Sequence, residues 1–447
     1  MATDKPWADM TPDEKRAQRL DAWRNPPMEF DSPEAAATYK ARVGRLIDAI
    51  LLEKTPDRVP ININAGWWPA AHAGLTPYDA MHDTARANKA WIDFNVEFQP
   101  DTMVGPLLYT TPAAVFEALD YRLYSWPGHG TPDEASYQYI EQEWMLPEEY
   151  DDLIADPSDY LLRTYLPRTV GAFAGFAGLS SLLDFIELPF VSGHVGGWGS
   201  PEMVTGLENL ARAAREVSAW GQQVFPVLGQ LMAMGFPGYL GGASKAPFDI
   251  LGDTLRGTRG LIVDMFRCPD KVLEACERLV PVAIRWALKR PGGPATPVVF
   301  LPLHKGADGF MSDEQFKTFY WPTLRKVIMG LIDEGIIPFL FAEGRYTSRL
   351  EVISDLPKGK TVWLFDQTDM AKAKETIGRV ACMQGNVPLS LLHAGTPEQV
   401  ADYTRLLIDT VGPGGGYILD VGAVADSGRG ENLHAMIDTA REYGVYA

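Results

Sequence analysis

The stretch from Val298 to Arg349, VVFLPLHKGADGFMSDEQFKTFYWPTLRKVIMGLIDEGIIPFLFAEGRYTSR, decides the fold. It opens with an apolar run, Val298 to Leu303, that stops at His304, Lys305 and Asp308. A helical pattern follows from Asp313 to Ile332, with Gly335 as its stop. A second apolar run, Ile336 to Phe341, ends in Glu343 and Arg345. Short apolar runs bounded by turn residues read as strands of a parallel sheet, buried on both faces, and the helix between them completes a βαβ unit. In α/β barrels the polar residues at the C-terminal ends of the strands build the active site. Two adjacent strands here end in such residues, so the site is expected at that rim.

Outward from this unit the same rhythm recurs. Strands are predicted at 58–64, 101–105, 238–246, 298–303, 338–341, 362–365, 380–383 and 417–419. Helices are predicted at 33–53, 77–98, 201–234, 248–266, 269–287, 313–332 and 431–443. This alternation specifies an α/β chain folded as a (β/α)8 TIM barrel, with a doubly wound open sheet as the runner-up. No G-x-G-x-x-G follows the first strand, which counts against a dinucleotide fold, and the run Gly412 to Gly416 precedes a strand and reads as a tight turn. Residues 1–34 are charged and proline-interrupted and read as an N-terminal arm. The barrel takes 35–447, and 107–200 breaks the rhythm as an insertion after the second strand, a lid or a subunit interface. Within it, 118–143 is predicted to be a hairpin turning at Pro127 to Gly130.

The totals exclude several partners. With 447 residues and a net charge of -18, the chain lacks the basic excess that holds nucleic acid or an anionic membrane surface. Its three cysteines, Cys268, Cys276 and Cys382, give no disulfide framework, and the charged N-terminus has no apolar signal core, so a cytoplasmic location is expected.

Several motifs resemble those of the uroporphyrinogen decarboxylase (URO-D) superfamily. They are Gly242-Ala243-Ser244-Lys245-Ala246-Pro247-Phe248-Asp249 through Arg267, and Gly309-Phe310-Met311-Ser312 with its helix to Tyr320-Trp321-Pro322. The C-terminal run is the most specific: Gly385-Asn386-Val387-Pro388, Gly395-Thr396-Pro397-Glu398, Gly414 to Leu419, and Glu431-Asn432-Leu433. The resemblance extends from about residue 40 onward and implies a (β/α) barrel, often dimeric. It implies one of two activities: cofactor-free decarboxylation, or methyl transfer to or from a corrinoid carried on a partner protein. The decarboxylases of the family hold substrate carboxylates with an Arg-rich motif after the first strand. Here that place reads Asn62-Ile63-Asn64-Ala65-Gly66-Trp67-Trp68-Pro69, without Arg. The thiol-methylating members bind zinc through a His-x-Cys pair and a later Cys, where this chain has Phe341, Glu343 and Ala423. The chain is therefore closer to the corrinoid-dependent methyltransferase branch, without that branch's zinc site. It also lacks a D-x-H-x-x-G corrinoid signature, so the corrinoid, cobalamin or a relative, is expected on a separate protein.

The expected function is that of a demethylation component: a methyltransferase of O-demethylase type, moving a methyl group from a small methoxylated or methylated, aromatic or apolar substrate to that corrinoid. The alternative is a cofactor-free decarboxylase or lyase acting on a small substrate. Glu343 is the expected proton donor, raised in pKa by burial at a strand end. His304 and Asp366 are expected to complete a proton relay or, with Glu343, an oxygen and nitrogen metal site. Trp67, Trp68, Met311, Phe341 and Tyr346 are expected to wall the substrate pocket. Asn62, Asn64, Gln384, Asn386 and Asp420 would orient the substrate, and Arg345 would meet a carboxylate. His194 is read as structural.

Overall fold

The computed structural model describes residues 5–180, 182–288 and 296–446; Met1 to Asp4 of the arm lie outside them. Six parallel strands run in sequence order around one sheet: Leu240–Ala243, Val298–Leu303, Ile337–Ala342, Val362–Phe365, Cys382–Gln384 and Tyr417–Ile418. Backbone hydrogen bonds close the sheet into a ring through 60–64 and 101–105. Asn62 N donates to Leu419 O at 2.9 Å, Asp101 N to Ile61 O at 2.8 Å, and Met103 N to Pro237 O at 2.8 Å. Eight extended segments thus form a closed barrel, and the open doubly wound sheet is excluded.

Strand side chains alternate between two apolar layers, as a period of two requires. Val298, Ile337, Phe339, Phe341, Val362, Leu364, Cys382 and Ile418 face the barrel interior. Val299, Leu301, Leu303, Leu340, Trp363, Phe365 and Tyr417 pack outward under the helices. Each large side chain so buried contributes roughly 1.5–3 kcal/mol.

Helix Pro12–Arg24 of the N-terminal stretch and the helix that follows it close the bottom of the barrel. Helices Pro12–Arg24 and Pro33–Leu51 supply Leu20, Trp23, Tyr39, Val43 and Leu46 to the interior cluster. Trp23 Nε1 donates to Gly238 O at 2.9 Å, and Lys15 Nζ lies 2.8 Å from Glu334. Gly335 permits this docking: it adopts φ +72°, and a Cβ there would stand 2.6 Å from the backbone N of Arg16.

Several predicted elements differ, among them these three. The helix expected at 77–98 is two, Pro77–His82 and Thr84–Phe98, because the Asp83 side chain caps the second one through Arg86 N. The expected hairpin at 118–143 begins later, since Ala118 and Leu119 finish helix Ala113–Leu119. Its strands are Tyr124–Pro127 and Gln138–Tyr139, and Gly128 and Gly130, both at positive φ, make a tighter reversal inside the loop. The third strand is shorter than 238–246, ending at Ala243 before Pro247 opens a helix.

Candidate active site

The parallel register explains why three residues distant in sequence meet. Leu303 pairs with Ala342, and Ala342 with Phe365. The next residue of each strand is His304, Glu343 and Asp366, so all three emerge side by side at the C-terminal rim. His304 Nε2 lies 3.5 Å from Glu343 Oε1, and Gly344 N donates to Asp366 Oδ2 at 3.0 Å.

The centre of the cluster comes from a helix whose Asp253 escaped the sequence reading. Asp249 and Asp253 stand four residues apart across helix Pro247–Ile250 and the π-turn Leu251–Leu255, on one face. His304 Nδ1 meets Asp253 Oδ2 at 2.6 Å. Lys245 Nζ reaches the same carboxylate at 2.7 Å and Lys305 Nζ at 3.4 Å. Asp249, fully buried, accepts from His304 N at 3.2 Å, Lys305 N at 2.9 Å and the Tyr320 hydroxyl at 2.6 Å. It thereby fixes the backbone that carries the histidine.

Charge follows from this geometry. Burial alone would lower the His304 pKa, but the contacts with Asp253 and Glu343 outweigh it and push it up to about 10. Burial works against the Asp253 carboxylate, yet His304 and Lys245 hold it well below the usual carboxylate range. Asp249 is pushed up to about 6 by burial and by the adjacent negative charge of Asp253. Asp366 is raised by burial, with Glu343 adding to the effect. The cluster therefore holds an imidazolium at neutral pH.

This corrects the expectation for Glu343. Its side chain is 42% exposed, so the burial on which the proton-donor role rested is missing. His304, itself half-buried, is the proton-bearing group instead. Lys305 turns to Asp253 and Thr258, and Asp308 accepts from Ser348.

The remaining predicted residues fall into separate places. Asp420 is buried inside the ring, accepting from Asn62 Nδ2 at 2.6 Å, Asn64 N at 2.8 Å, Gln384 Nε2 at 2.7 Å and Val421 N at 2.7 Å. Burial pushes it up to about 6. Asn386 donates to Asp366 O at 2.8 Å and Thr368 O at 3.1 Å. The Asn64 Nδ2 and Asn386 Oδ1 atoms are buried without a partner, which marks them as free to meet a ligand.

Of the expected pocket walls, Trp67 lines a cavity and four residues do not. Trp68 packs into the outer core against Phe94, and Phe341 lies inside the barrel on Phe300. Tyr346 is fully buried and donates to Leu303 O at 3.0 Å, while Met311 is 5% exposed within the outer core. Apolar character alone did not separate core from pocket. Arg345 is exposed at the rim.

The cavity encloses about 240 Å³. Trp67, Tyr109, Tyr121, Tyr124, Trp126 and Tyr137 are among its walls, so residues of the 107–200 insertion roof it. The clustering of aromatics between 109 and 139 was the available signal. Burial raises the Tyr109 and Tyr137 hydroxyls, and the charges of Asp426 and Glu343 raise both further, which ties the cavity to the rim.

The oxygen and nitrogen metal site considered for His304, Glu343 and Asp366 does not form. Among the described residues no three His, Cys, Asp or Glu side chains converge to hold a metal ion. Cys276 and Cys382 are buried, which raises their thiols away from the thiolate form, and Ala423 offers no donor.

With this geometry in place, the comparison with known families is specific. Residues 235–443 match the family model "Uroporphyrinogen decarboxylase (URO-D)". This part, a little under half of the chain, is similar to that family. It contains Asp249, Asp253, His304, Glu343, Asp366 and Asp420. Curated uroporphyrinogen decarboxylases from an Azoarcus species and from Aromatoleum aromaticum are each 26% identical, over 149 and 141 residues. Each match covers 30% of this chain and 38% of the relative, so the alignment spans well under half of those proteins. A solved methyltransferase from Methanosarcina mazei superimposes with a TM-score of 0.57 at 13% identity, covering 90% of this chain and 98% of that one. The likeness in fold therefore extends to nearly the whole chain, including the segments before residue 235. No helix among the described residues is long and apolar enough to cross a membrane.

Proposed function

We propose that the protein is a methyltransferase that takes a methyl group from a small methylated substrate and passes it to a corrinoid on a partner protein. The observation that carries this reading is the His304 imidazolium at the open rim, beside an aromatic cavity. A methyl group bound to oxygen or nitrogen is released easily only when its heteroatom gains a proton, and a positioned acid contributes about 10²–10⁴-fold in rate. His304 would hold that proton on Nε2, while Asp253 fixes the ring through Nδ1. Glu343, at 3.5 Å, would steady the same edge and receive the proton from solvent between turnovers. The rim is open and polar and the cavity apolar, which suits a corrinoid presented from outside to a substrate held within. When bound there, the corrinoid would supply the nucleophile that accepts the methyl group.

The insertion acts as the lid in this scheme, since its aromatic residues roof the cavity. Asn64 Nδ2 and Asn386 Oδ1 would orient the substrate. The name of the two curated relatives favours a second reading, decarboxylation. Against it stands the supply of cations: Lys245 and Lys305 are committed to Asp253, and Arg256 to Asp264 and Glu143. A polycarboxylate would find few partners.

The test is incubation of the full chain with cob(I)alamin and a panel of small O- and N-methylated compounds, following the corrinoid absorbance. The expected result is conversion with at least one compound, slowed about 100-fold in His304→Gln. Absence of any spectral change across the panel, with carbon dioxide released from a carboxylated substrate instead, would overturn the methyl-transfer reading.

A further inference from the structure

The cavity is larger and more aromatic than a methyl group alone requires, and its walls carry an electrostatic preference. Its lining residues include no Lys, Arg or His. Tyr121 and Tyr124 present parallel rings, 6.2 Å apart with planes within 2°. Tyr137 stands edge-on to Tyr124 at 5.6 Å, and Tyr109 edge-on to Trp67 at 5.7 Å. Aromatic faces carry negative electrostatic potential and attract a cation lying within about 6 Å of the ring centre.

Carboxylates reinforce the same sign. Asp426 is anchored by Trp67 N at 3.2 Å, and a Cβ on Gly66 would stand 2.1 Å from its Oδ1, so Gly66 makes room for that carboxylate. Among the described residues no cation pairs with Asp426 or Asp366. The charges of Asp426 and Glu343 reach the hydroxyls of Tyr109 and Tyr137 in the cavity wall, and that of Asp253 reaches Tyr124. Neutral ring faces backed by the unpaired carboxylate of Asp426 disfavour an anion and give a neutral ether no electrostatic gain. A permanently charged alkylammonium suits them, since it has no N–H to satisfy and its apolar methyl surface packs on rings. A volume of about 240 Å³ holds such a head group and little more.

We infer that this aromatic cavity is a subsite for an alkylammonium head on the substrate, with the methylated heteroatom that leaves placed apart from it, toward His304. The inference rests on the methyl-transfer reading for the identity of the substrate, but the binding preference itself does not depend on turnover. The substrate is then a small cation-bearing O- or N-methyl compound, which the -18 charge of the chain would also attract.

The test is binding of tetramethylammonium to the full chain without corrinoid, read by quenching of tryptophan fluorescence and by calorimetry. Neopentane-shaped neutral alcohols and methoxybenzene serve as uncharged competitors. Tetramethylammonium is expected to bind at least tenfold more tightly than the neutral isostere. Asp426→Asn and Tyr137→Leu should each weaken it by about tenfold, with Tyr137 an exposed residue whose loss leaves the core intact. Equal affinity for the neutral isostere in the unmodified protein, or no tetramethylammonium binding, overturns the inference whatever the variants do. Methyl transfer from methoxybenzene without cation binding would sink the cationic subsite and leave the proposed function standing. Cation binding without any methyl transfer would do the reverse.

Discussion

Two buried carboxylates in one barrel have opposite company. Asp253 at the rim is ringed by cations: His304, Lys245 and Lys305. Asp420, inside the ring, is held by neutral amides alone: two side-chain N–H groups and two backbone N–H groups. The first stays ionised and raises the proton affinity of a histidine. The second carries the cost of burial uncompensated by charge and stands near pH 6. The number of hydrogen bonds does not decide the chemistry of a buried acid here; the sign of its neighbours does. One is built to hold a proton on its partner, the other to tie the first, seventh and eighth segments of the ring together.

Replacing each acid sharpens the contrast. Asp253→Asn leaves two lysines and an imidazole around an amide. Methyl transfer is expected to fall by about 100-fold or more, and urea denaturation should show a loss of about 3 kcal/mol. Asp420→Asn turns an amide N–H toward donors, and about 2 kcal/mol of stability should be lost by the same measurement, with methyl-transfer rate changed far less. If Asp420→Asn abolished transfer while leaving stability intact, the interior acid would be the chemical one and the contrast would fail.

The smallest expected effect is in the pH dependence of stability. Asp420 and Asp249 have raised folded values, so the unfolded chain ionises first and stability declines as pH rises from about 4 through about 6. His304 acts in the same direction at higher pH. Its contribution is complete below about 6.5 and is lost as pH rises through about 10. Urea midpoints should therefore decline in two steps as pH rises, through about 6 and again through about 10, and Asp420→Asn should flatten the first step only.

The sequence carried the barrel because each strand is a short apolar run ending at a polar residue, a pattern visible in Val298–Leu303 and Ile337–Ala342. The same pattern placed His304, Glu343 and Asp366 at one rim, since register follows from strands that end together. What it did not carry is side-chain partnership across helices. Asp253 lies in a π-turn that adds a residue to the helix and turns its carboxylate toward His304, and nothing in the spacing of apolar residues reports that. Likewise Trp67 and Trp68 are chemically identical neighbours, yet one lines the cavity and the other fills the core beside Phe94. The exposure of Glu343, which moves the proton to His304, depends on what does not cover it, and sequence is silent on that.

The central claim is that His304 is an imidazolium at neutral pH, kept so by Asp253. Nitrogen-detected NMR of the full chain, with His304 assigned through the His304→Gln variant, reads this directly. The account predicts that both ring nitrogens remain protonated from pH 6 to beyond pH 8 and titrate near 10, with the midpoint falling toward 6.5 or below in Asp253→Asn. A His304 that titrates near 6.5 in the unmodified protein, or that is already neutral at pH 7, would contradict it.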